Sequence, residues 1–388
     1  MDSQKLLRRA FWAISVLLAS SAAALGQNDP ADDSAMMGKG EYALSSSSWT
    51  TADHPQDASS DLMNLGRSLD SPRWTASGEF IILERMDTVN QTLISTYPGV
   101  PSPTTQFTVG QGTDRVSSGD LTQGFAGGPK VGLMCHVDNG CHLEFSFFEI
   151  DGWDNTASIA SGPNTTPVFV APGGFVQTTD SATQYMQWMY ATRLYNAEIN
   201  VGWDLCSRVT VLAGFRWVHL GEELHGTIWP PDSSPGPART APFWDNTTRN
   251  NLFGSQLGAD CKIFSHAGFS IDGLVKAGIY DNVADETSGV SIFRHVYWES
   301  ASTNHGAFLG EIDLRCKYQV TQRLSLKIGY EGMWLQGVAL APGQISETQS
   351  QITPVPHSLP LVSVQALGVD SRSGVFYHGA TVGLEYSF

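Results

Sequence analysis

The chain has 388 residues and a net charge of −16, and only 15% of its residues are charged, against roughly 25% in typical soluble domains. The acidic excess excludes non-specific nucleic-acid binding and electrostatic docking on an anionic membrane, because both need surplus Lys and Arg. The hydrophobic fraction of 41% is ordinary, and abundant Gly, Ser, Thr and Asn favour strands and turns.

The N-terminus carries an export pattern. Lys5, Arg8 and Arg9 precede the apolar run AFWAISVLLASSAAAL, which ends in small residues. We interpret residues 1–26 as a signal peptide, with a buried N-terminal helix as the alternative. Residues 27–73 are rich in Ser, Asp and Ala and hold too few large apolar side chains to offset the entropy of ordering. They are predicted to be a disordered polar leader.

From residue 74 to the C-terminus the sequence repeats strand-like runs with period-2 alternation. In GEIDLRCKYQV the four charged residues from Glu311 to Lys317 share one face, and Leu314 lies on the opposite, apolar face. Segments 74–388 are therefore predicted to form one all-β domain. The ten runs lie near 74–83, 124–135, 141–150, 193–204, 208–220, 251–263, 267–280, 306–318, 323–336 and 374–388.

The connections between these runs alternate between long and short. The short ones are HVDNG, DLCSR, FSHA and QVTQ, and strict alternation in an up-and-down array places all of them at one end. Such segregation is typical of a transmembrane β-barrel with short periplasmic turns and long extracellular loops. We therefore predict an antiparallel barrel of about ten strands, with 8–12 as the range. The long connections cover 84–123, 151–192, 221–250, 281–305 and 337–373.

Aromatic residues near both ends of the runs support the membrane interpretation over a soluble barrel, whose charged face would point outward. Two aromatic levels match the girdles at the two membrane interfaces. The level at the tight turns contains Trp74, Phe145, Trp203, Phe264, Tyr318, Tyr386 and Phe388, and the level at the long loops contains Trp188, Trp217, Tyr280, Phe308, Trp334 and Phe376.

The final run, GATVGLEYSF, is predicted to be the closing strand of the barrel. In lipid every backbone polar group must be paired, so the last strand has to close onto the first. The terminal aromatic residue also resembles the C-terminal signal that outer-membrane assembly machinery reads, which makes that machinery and outer-membrane lipid the expected partners. The residues that define the closing strand are Thr381, Val382, Leu384, Tyr386 and Phe388.

Three stretches, LAGFRWVHLGEEL, NNLFGSQLGADC and GATVGLEYSF, are similar to the outer-membrane β-barrel family expanded in planctomycetes. The resemblance covers about residues 74–388. It implies a barrel in the outer membrane of a bacterial cell. It implies no known substrate and no catalytic residue.

No stretch of the chain carries an enzyme or cofactor pattern. HLGEELH, from His219 to His225, is not HExxH, and no CxxC occurs, so no catalytic, metal or cofactor site is predicted. The hairpin sequence CHVDNGC makes Cys135 and Cys141 a candidate disulfide, whereas Cys206, Cys261 and Cys316 have no assigned partner.

Charged residues of both signs alternate with apolar ones, which predicts a polar lumen. Barrels of about eight strands are filled by side chains, whereas 16–18 strands leave an aqueous pore. The favoured function is a structural or surface-presenting barrel with a largely filled lumen; a narrow passive or gated solute channel is the alternative, and an enzyme is the third. The residues predicted to face the lumen are Glu198, Arg216, Asp272, Lys276, Glu311, Asp313, Arg315, Lys317, Lys327 and Glu331.

Overall fold

The structure is a computed structural model. The predicted signal peptide and polar leader lie outside the residues that it describes. Among the described residues, no helix is both long and apolar enough to cross a membrane. The described residues are 74–87, 89–96, 113–121, 123–137, 140–160, 165–167, 185–229, 243–292, 295–353 and 361–388.

Ten strands form one closed antiparallel barrel, which confirms the predicted fold class. Each strand pairs with its neighbours in the sequence, and the last strand pairs with the first. The strands are β1 Trp74–Asp87, β2 Phe125–Val137, β3 Cys141–Ala160, β4 Tyr185–Cys206, β5 Val209–Trp229, β6 Phe243–His266, β7 Phe269–Ile292, β8 His295–Gln319, β9 Leu324–Val338 and β10 Ser373–Ser387.

The barrel closes between β1 and β10. Val382 lies opposite Phe80, and Thr381 lies opposite Ile81. At the end of this ladder the Trp74 amide donates to the Phe388 carbonyl (N···O 3.1 Å), and the Phe388 amide donates to the Trp74 carbonyl (2.9 Å). The backbone pairing between β1 and β10 therefore continues as far as Trp74 and Phe388, and it leaves the sheet without a free edge there.

The strands continue well into the segments that the sequence assigned to long loops. The hairpin of β7 and β8 is paired from Phe269 opposite Tyr318 to Ile292 opposite His295. β8 has 25 residues, far more than the roughly 9–11 that cross a membrane. These extensions carry polar residues on both faces, so the apolar alternation fades although backbone pairing continues.

Alternate residues of each strand point into and out of the barrel. In β1, residues 79, 81, 83 and 85 are buried, whereas Phe80, Ile82 and Met86 are exposed. Other strands repeat this alternation, and the outer face is a broad apolar surface of the kind that contacts lipid. Exposed outward apolar residues include Phe145, Ile199, Leu257, Ile279, Leu314, Ile328 and Val382.

The two aromatic levels follow the prediction only in part. Trp74, Trp203 and Phe388 at the tight-turn end are exposed on the outside. Trp188 and Tyr280, which were assigned to the long-loop girdle, are buried inside, because they share the inward phase of β4 and β7. The position of a residue along its strand predicts its height in the barrel. Whether its side chain points inward or outward depends on the alternation of the strand.

Tight turns join the strands at one end. Between β6 and β7 the turn consists of Ala267 (φ 48°) and Gly268 (φ 83°), the left-handed pair that fits a two-residue hairpin. The other end carries short strands at Thr92–Thr96, Thr113–Ser117, Thr165–Pro167, Thr348–Thr353 and Leu361–Ala366, and 3-10 helices at Ser118–Leu121 and Ala341–Glu347.

The candidate disulfide does not form in the structure, where all five cysteines are free thiols. Cys135 lies opposite Leu143, and Cys141 lies opposite Val137, so the two cysteines are diagonal neighbours in the hairpin. Diagonal Cα atoms lie about 7–8 Å apart, beyond the roughly 4.4–6.8 Å that a disulfide spans.

Candidate functional site

The interior of the barrel is the candidate functional site, and it is filled at two levels. The ionic layer, nearer the tight turns, consists of Glu198, Arg216, Lys276 and Glu311 with the charged and amide side chains around them. The apolar layer, nearer the long-loop end, consists of inward aliphatic and aromatic residues. Both are built from the inward phase of the same strands.

Four buried charges form the centre of the ionic layer. Lys276 Nζ contacts Glu198 Oε1 at 2.7 Å and Glu311 Oε1 at 3.1 Å. Arg216 Nη1 contacts Glu311 Oε2 at 2.5 Å, and its Nε donates to Asn196 Oδ1 at 2.5 Å. Arg216 on β5 and Glu311 on β8 are separated by two strands, so their ion pair crosses the lumen.

Further ion pairs extend this layer around the barrel. Lys130 Nζ on β2 reaches Glu331 Oε2 on β9 at 2.5 Å, and β1 and β10 lie between these two strands. Cross-lumen pairs of this kind occupy the space that a solute would need. The other pairs are Lys327–Glu79 at 2.7 Å, Lys317–Glu385 at 2.9 Å, Arg315–Asp313 at 3.5 Å, and Arg315–Asp260.

All ten residues predicted to face the lumen share the inward phase of their strands. Arg315 and Lys317 are partly buried, and both are paired. Asp272 is buried at the tight-turn end and, within the described residues, forms no ion pair. The buried members are Glu198, Arg216, Asp272, Lys276, Glu311, Asp313, Lys327 and Glu331.

Sequence reasoning missed several interior polar residues. Glu79 and Arg85 lie on the same inward face of β1 as the buried residues Ile81 and Leu83. The alternation of β1 could therefore have predicted that both charges point into the lumen. The neutral amides were overlooked because only charges were counted, although Gln256 Nε2 donates to Glu198 Oε2 at 2.6 Å. The missed residues include Glu79, Arg85, Lys130, Asn196, Asn200, Glu222, Asn250, Gln256 and Asn282.

The apolar layer corrects the expectation of a polar lumen, because one level of the interior is filled by apolar side chains. Trp153 packs against Tyr377 with ring centroids 5.3 Å apart, and its Nε1 donates to the Leu83 carbonyl at 3.2 Å. The layer fills its level as a globular core does. Its fully buried members include Ile81, Leu83, Ile150, Leu194, Leu220, Leu252, Leu309, Met333, Leu335 and Tyr377.

A segment that follows β9 folds into the lumen above the apolar layer. We call residues 337–347 the inner segment; Leu340 and Ile345 have no exposed surface. It begins at Gly337, whose φ of +82° favours glycine. A Cβ there would lie 2.7 Å from the Gly306 carbonyl oxygen, so only glycine allows this approach to β8.

Three polar side chains of the wall hold the inner segment. Asn250 Oδ1 accepts from the Ala339 amide at 2.7 Å, and Asn250 Nδ2 donates to the Ala339 carbonyl at 2.8 Å. Asn282 Nδ2 donates to the Gly337 carbonyl at 2.9 Å. Glu222 Oε2 accepts from the Ala341 amide at 2.7 Å. Beyond the end of β9 at Val338, the contacts of Ala339 and Ala341 with the wall are thus hydrogen bonds to side chains rather than strand pairing.

Glu222 also belongs to a second polar bridge across the barrel. It pairs with Arg85 of β1, and Arg85 Nη2 donates to Tyr190 Oη at 2.7 Å. Tyr190 Oη donates to Glu222 Oε2 at 2.9 Å. β1 and β5 are separated by three strands, so this bridge closes the lumen beside the inner segment.

The sequence matches a family model over residues 79–388, and the family is described as "Putative beta barrel porin-7 (BBP7)". The chain belongs to this family. It is an outer-membrane β-barrel. No curated protein is significantly similar to it.

Solved structures show similar barrels at low identity. The outer membrane protease OmpT of Escherichia coli is 9% identical, with 82% of this chain and 97% of that chain covered, at a TM-score of 0.43. The toluene transporter TbuX of Ralstonia pickettii (10%; 82% and 90%; 0.29) and a FadL homologue of Pseudomonas aeruginosa (10%; 82% and 91%; 0.29) are also similar. These likenesses carry no argument about activity.

HLGEELH lies on β5 of this porin-type barrel and not in a loop. His219 faces outward and stacks on Tyr195 with ring centroids 5.7 Å apart, whereas Glu222 is buried inside. Alternation therefore separates the two residues. Within the part of the chain that the structure describes, no three His, Cys, Asp or Glu side chains are grouped to hold a metal ion.

Proposed function

We propose that this outer-membrane barrel is a closed scaffold that presents its long extracellular connections and does not conduct solutes at rest. The observation that carries the proposal is the buried chain of Glu198, Lys276, Glu311 and Arg216, in which the pairs Arg216–Glu311 and Lys276–Glu198 join strands that are not neighbours and so cross the lumen. Opening a path would separate buried charges of opposite sign, which is costly in a low-dielectric interior.

The apolar layer and the inner segment support the same proposal. Leu335 and Leu340 are fully buried above the ionic layer, and a dry, close-packed interior has no room for a hydrated ion. The proposal also includes export through residues 1–26 and assembly through the closing strand, with outer-membrane lipid around the barrel. It assigns no catalytic role and no cofactor.

Conductance of the refolded protein in planar lipid bilayers tests the proposal. We expect no discrete current steps from the wild-type barrel under conditions in which a general porin gives them. Regular steps from the wild-type protein would contradict a closed lumen.

A gated channel is the second candidate, because the inner segment is attached to the wall by replaceable hydrogen bonds. The sharpest variant is Gly337→Ala, since its Cβ would collide with the Gly306 carbonyl. Current steps that appear in Gly337→Ala and are absent from the matched variant Gly306→Ala, whose Cβ meets no atom within 4 Å, would favour the channel.

A further inference from the structure

A polar cavity lies at the tight-turn end of the barrel, on the other side of the ionic layer from the inner segment. Its volume is about 310 Å³, and its lining includes the turn residues Ser207 and Arg208. We call it the vestibule. Its size falls within the roughly 300–1,000 Å³ of small-molecule sites.

A buried carboxylate in the vestibule lacks a hydrogen-bond donor. Asp272 is 8% exposed and lines the cavity, and its Oδ1 has no hydrogen-bond partner. Its register partners are Lys262 on β6 and Arg315 on β8. Arg315 is already paired with Asp260, and Lys262 is exposed. A buried acceptor without a donor is costly, so a ligand that supplies N–H groups would be favoured there.

The remaining charges of the vestibule are separated by depth. Glu144 is partly buried on β3 and, like Asp272, forms no ion pair within the described residues. Two cationic lining residues, Arg208 and Lys262, are exposed at the mouth, and the exposed carboxylate of Asp204, which accepts a hydrogen bond from Thr210, lies there with them. The deep wall therefore offers the negative charge of Asp272 and Glu144, and the rim carries two positive charges against one negative charge.

We propose that the vestibule binds a small zwitterion that carries a primary ammonium group and a carboxylate. The ammonium donates to the Asp272 carboxylate and lies close to Glu144, and the carboxylate of the ligand lies at the rim near Lys262 and Arg208. Such charge-assisted hydrogen bonds are the strong ones in proteins. The site does not depend on whether the lumen conducts, because the central charges Glu198, Arg216, Lys276 and Glu311 do not line the vestibule.

Isothermal titration of the refolded, full mature barrel in detergent tests the site with three probes: 4-aminobutyrate, butylamine and butyrate. We expect 4-aminobutyrate to bind most tightly and butyrate to bind least. Asp272→Asn should weaken 4-aminobutyrate and butylamine about ten-fold or more. Lys262→Gln should weaken 4-aminobutyrate alone. Asp285→Asn, an exposed aspartate at the far end of β7, is the matched control and should change nothing.

Unchanged affinity in Asp272→Asn would overturn the proposal, and so would absence of heat for all three probes at millimolar concentration. The shift between boiled and unboiled gel mobility reports whether each variant has folded. If Asp272→Asn does not fold, Glu144→Gln carries the same test with the same expectation. Binding is measured without current, so this result and the conductance result can fail independently.

Discussion

The two levels of the lumen are filled by different kinds of interaction. The ionic layer is held by pairs such as Arg216–Glu311 and Lys130–Glu331, which join strands that are not neighbours. The apolar layer around Leu335 is held by burial and shape. The backbone pairing of the wall is the same at both levels. The lumen inside it is filled at one level by side chains of opposite charge and at the other by apolar side chains that fit together in volume.

The polar groups at the two ends of the lumen are also satisfied differently. Above the apolar layer, the inner segment is held by single polar side chains such as Asn250. Below the ionic layer, the charges outnumber their available partners, and Asp272 is left with an unpaired oxygen.

The largest expected effect is the removal of one charge from the ionic layer. Arg216→Met leaves Glu311 and Glu198 to share Lys276, and it should lower the free energy of unfolding by about 3–5 kcal/mol. Urea unfolding in lipid vesicles, followed by tryptophan fluorescence, measures this.

The double variant Arg216→Met, Glu311→Leu removes both partners and keeps Lys276–Glu198, so it should regain most of the loss. Arg193→Met, which removes an exposed pair with Glu223, is the control and should cost about 0–1 kcal/mol. If Arg216→Met matches this control, the ionic layer does not stabilise the barrel.

The apolar layer should respond to volume and not to charge. Leu335 is fully buried, and Leu335→Ala should lower the free energy of unfolding by about 2–5 kcal/mol because it leaves a cavity. Leu335→Met preserves volume and should cost less than about 1.5 kcal/mol. The same unfolding assay applies, with the half-exposed Leu367→Ala as the control. Equal losses for Ala and Met would show that close packing does not decide this layer.

The attachment of the inner segment should give a smaller and more local effect. Asn250→Ala removes both hydrogen bonds to Ala339 and should cost about 1–3 kcal/mol. Hydrogen exchange should speed up within the inner segment and not in the ionic layer. Asn251→Ala changes the next residue, whose side chain bonds to His219 on the outside, and should leave that exchange unaltered. If the amides of the inner segment exchange as slowly in Asn250→Ala as in the wild type, packing alone holds the segment.

The smallest effect concerns acid pH at the long-loop end. Hydrogen bonds from Arg372 hold the pKa of Asp370 below its ordinary value of 3.8, and the backbone of Asp370 bonds to Gln344 of the inner segment. The Asp370 carboxylate therefore binds a proton less readily in the folded state than in the unfolded state. The stabilisation is present above pH 3.8 and is lost as the pH falls through the lowered pKa.

The urea midpoints of the wild type and of Asp370→Asn should therefore differ slightly at neutral pH and converge in acid. A difference that persists in acid would mean that the carboxylate charge is not the cause. The pair is largely exposed at Arg372, so added salt should also reduce the difference.

The sequence by itself determined the wall of the barrel. Period-2 alternation located all ten strands, since the pleat alone sets which residues share a face. The segregation of the tight turns predicted the up-and-down order, and the need to pair every backbone polar group in lipid predicted that the final strand would close onto the first, as the ladder between β1 and β10 confirms. Membership of the porin-type family agrees with this local information.

Only the tertiary structure decided what fills the lumen. Alternation gives the side to which Lys130 points, but its partner Glu331 lies 201 residues away and is set by the curvature and stagger of the closed sheet. The sequence of the inner segment is that of an ordinary loop. The segment enters the barrel because Gly337 adopts a positive φ, and because Asn250, Asn282 and Glu222 form hydrogen bonds to its backbone. Such contacts depend on distances across the barrel, and no local pattern in the chain encodes them.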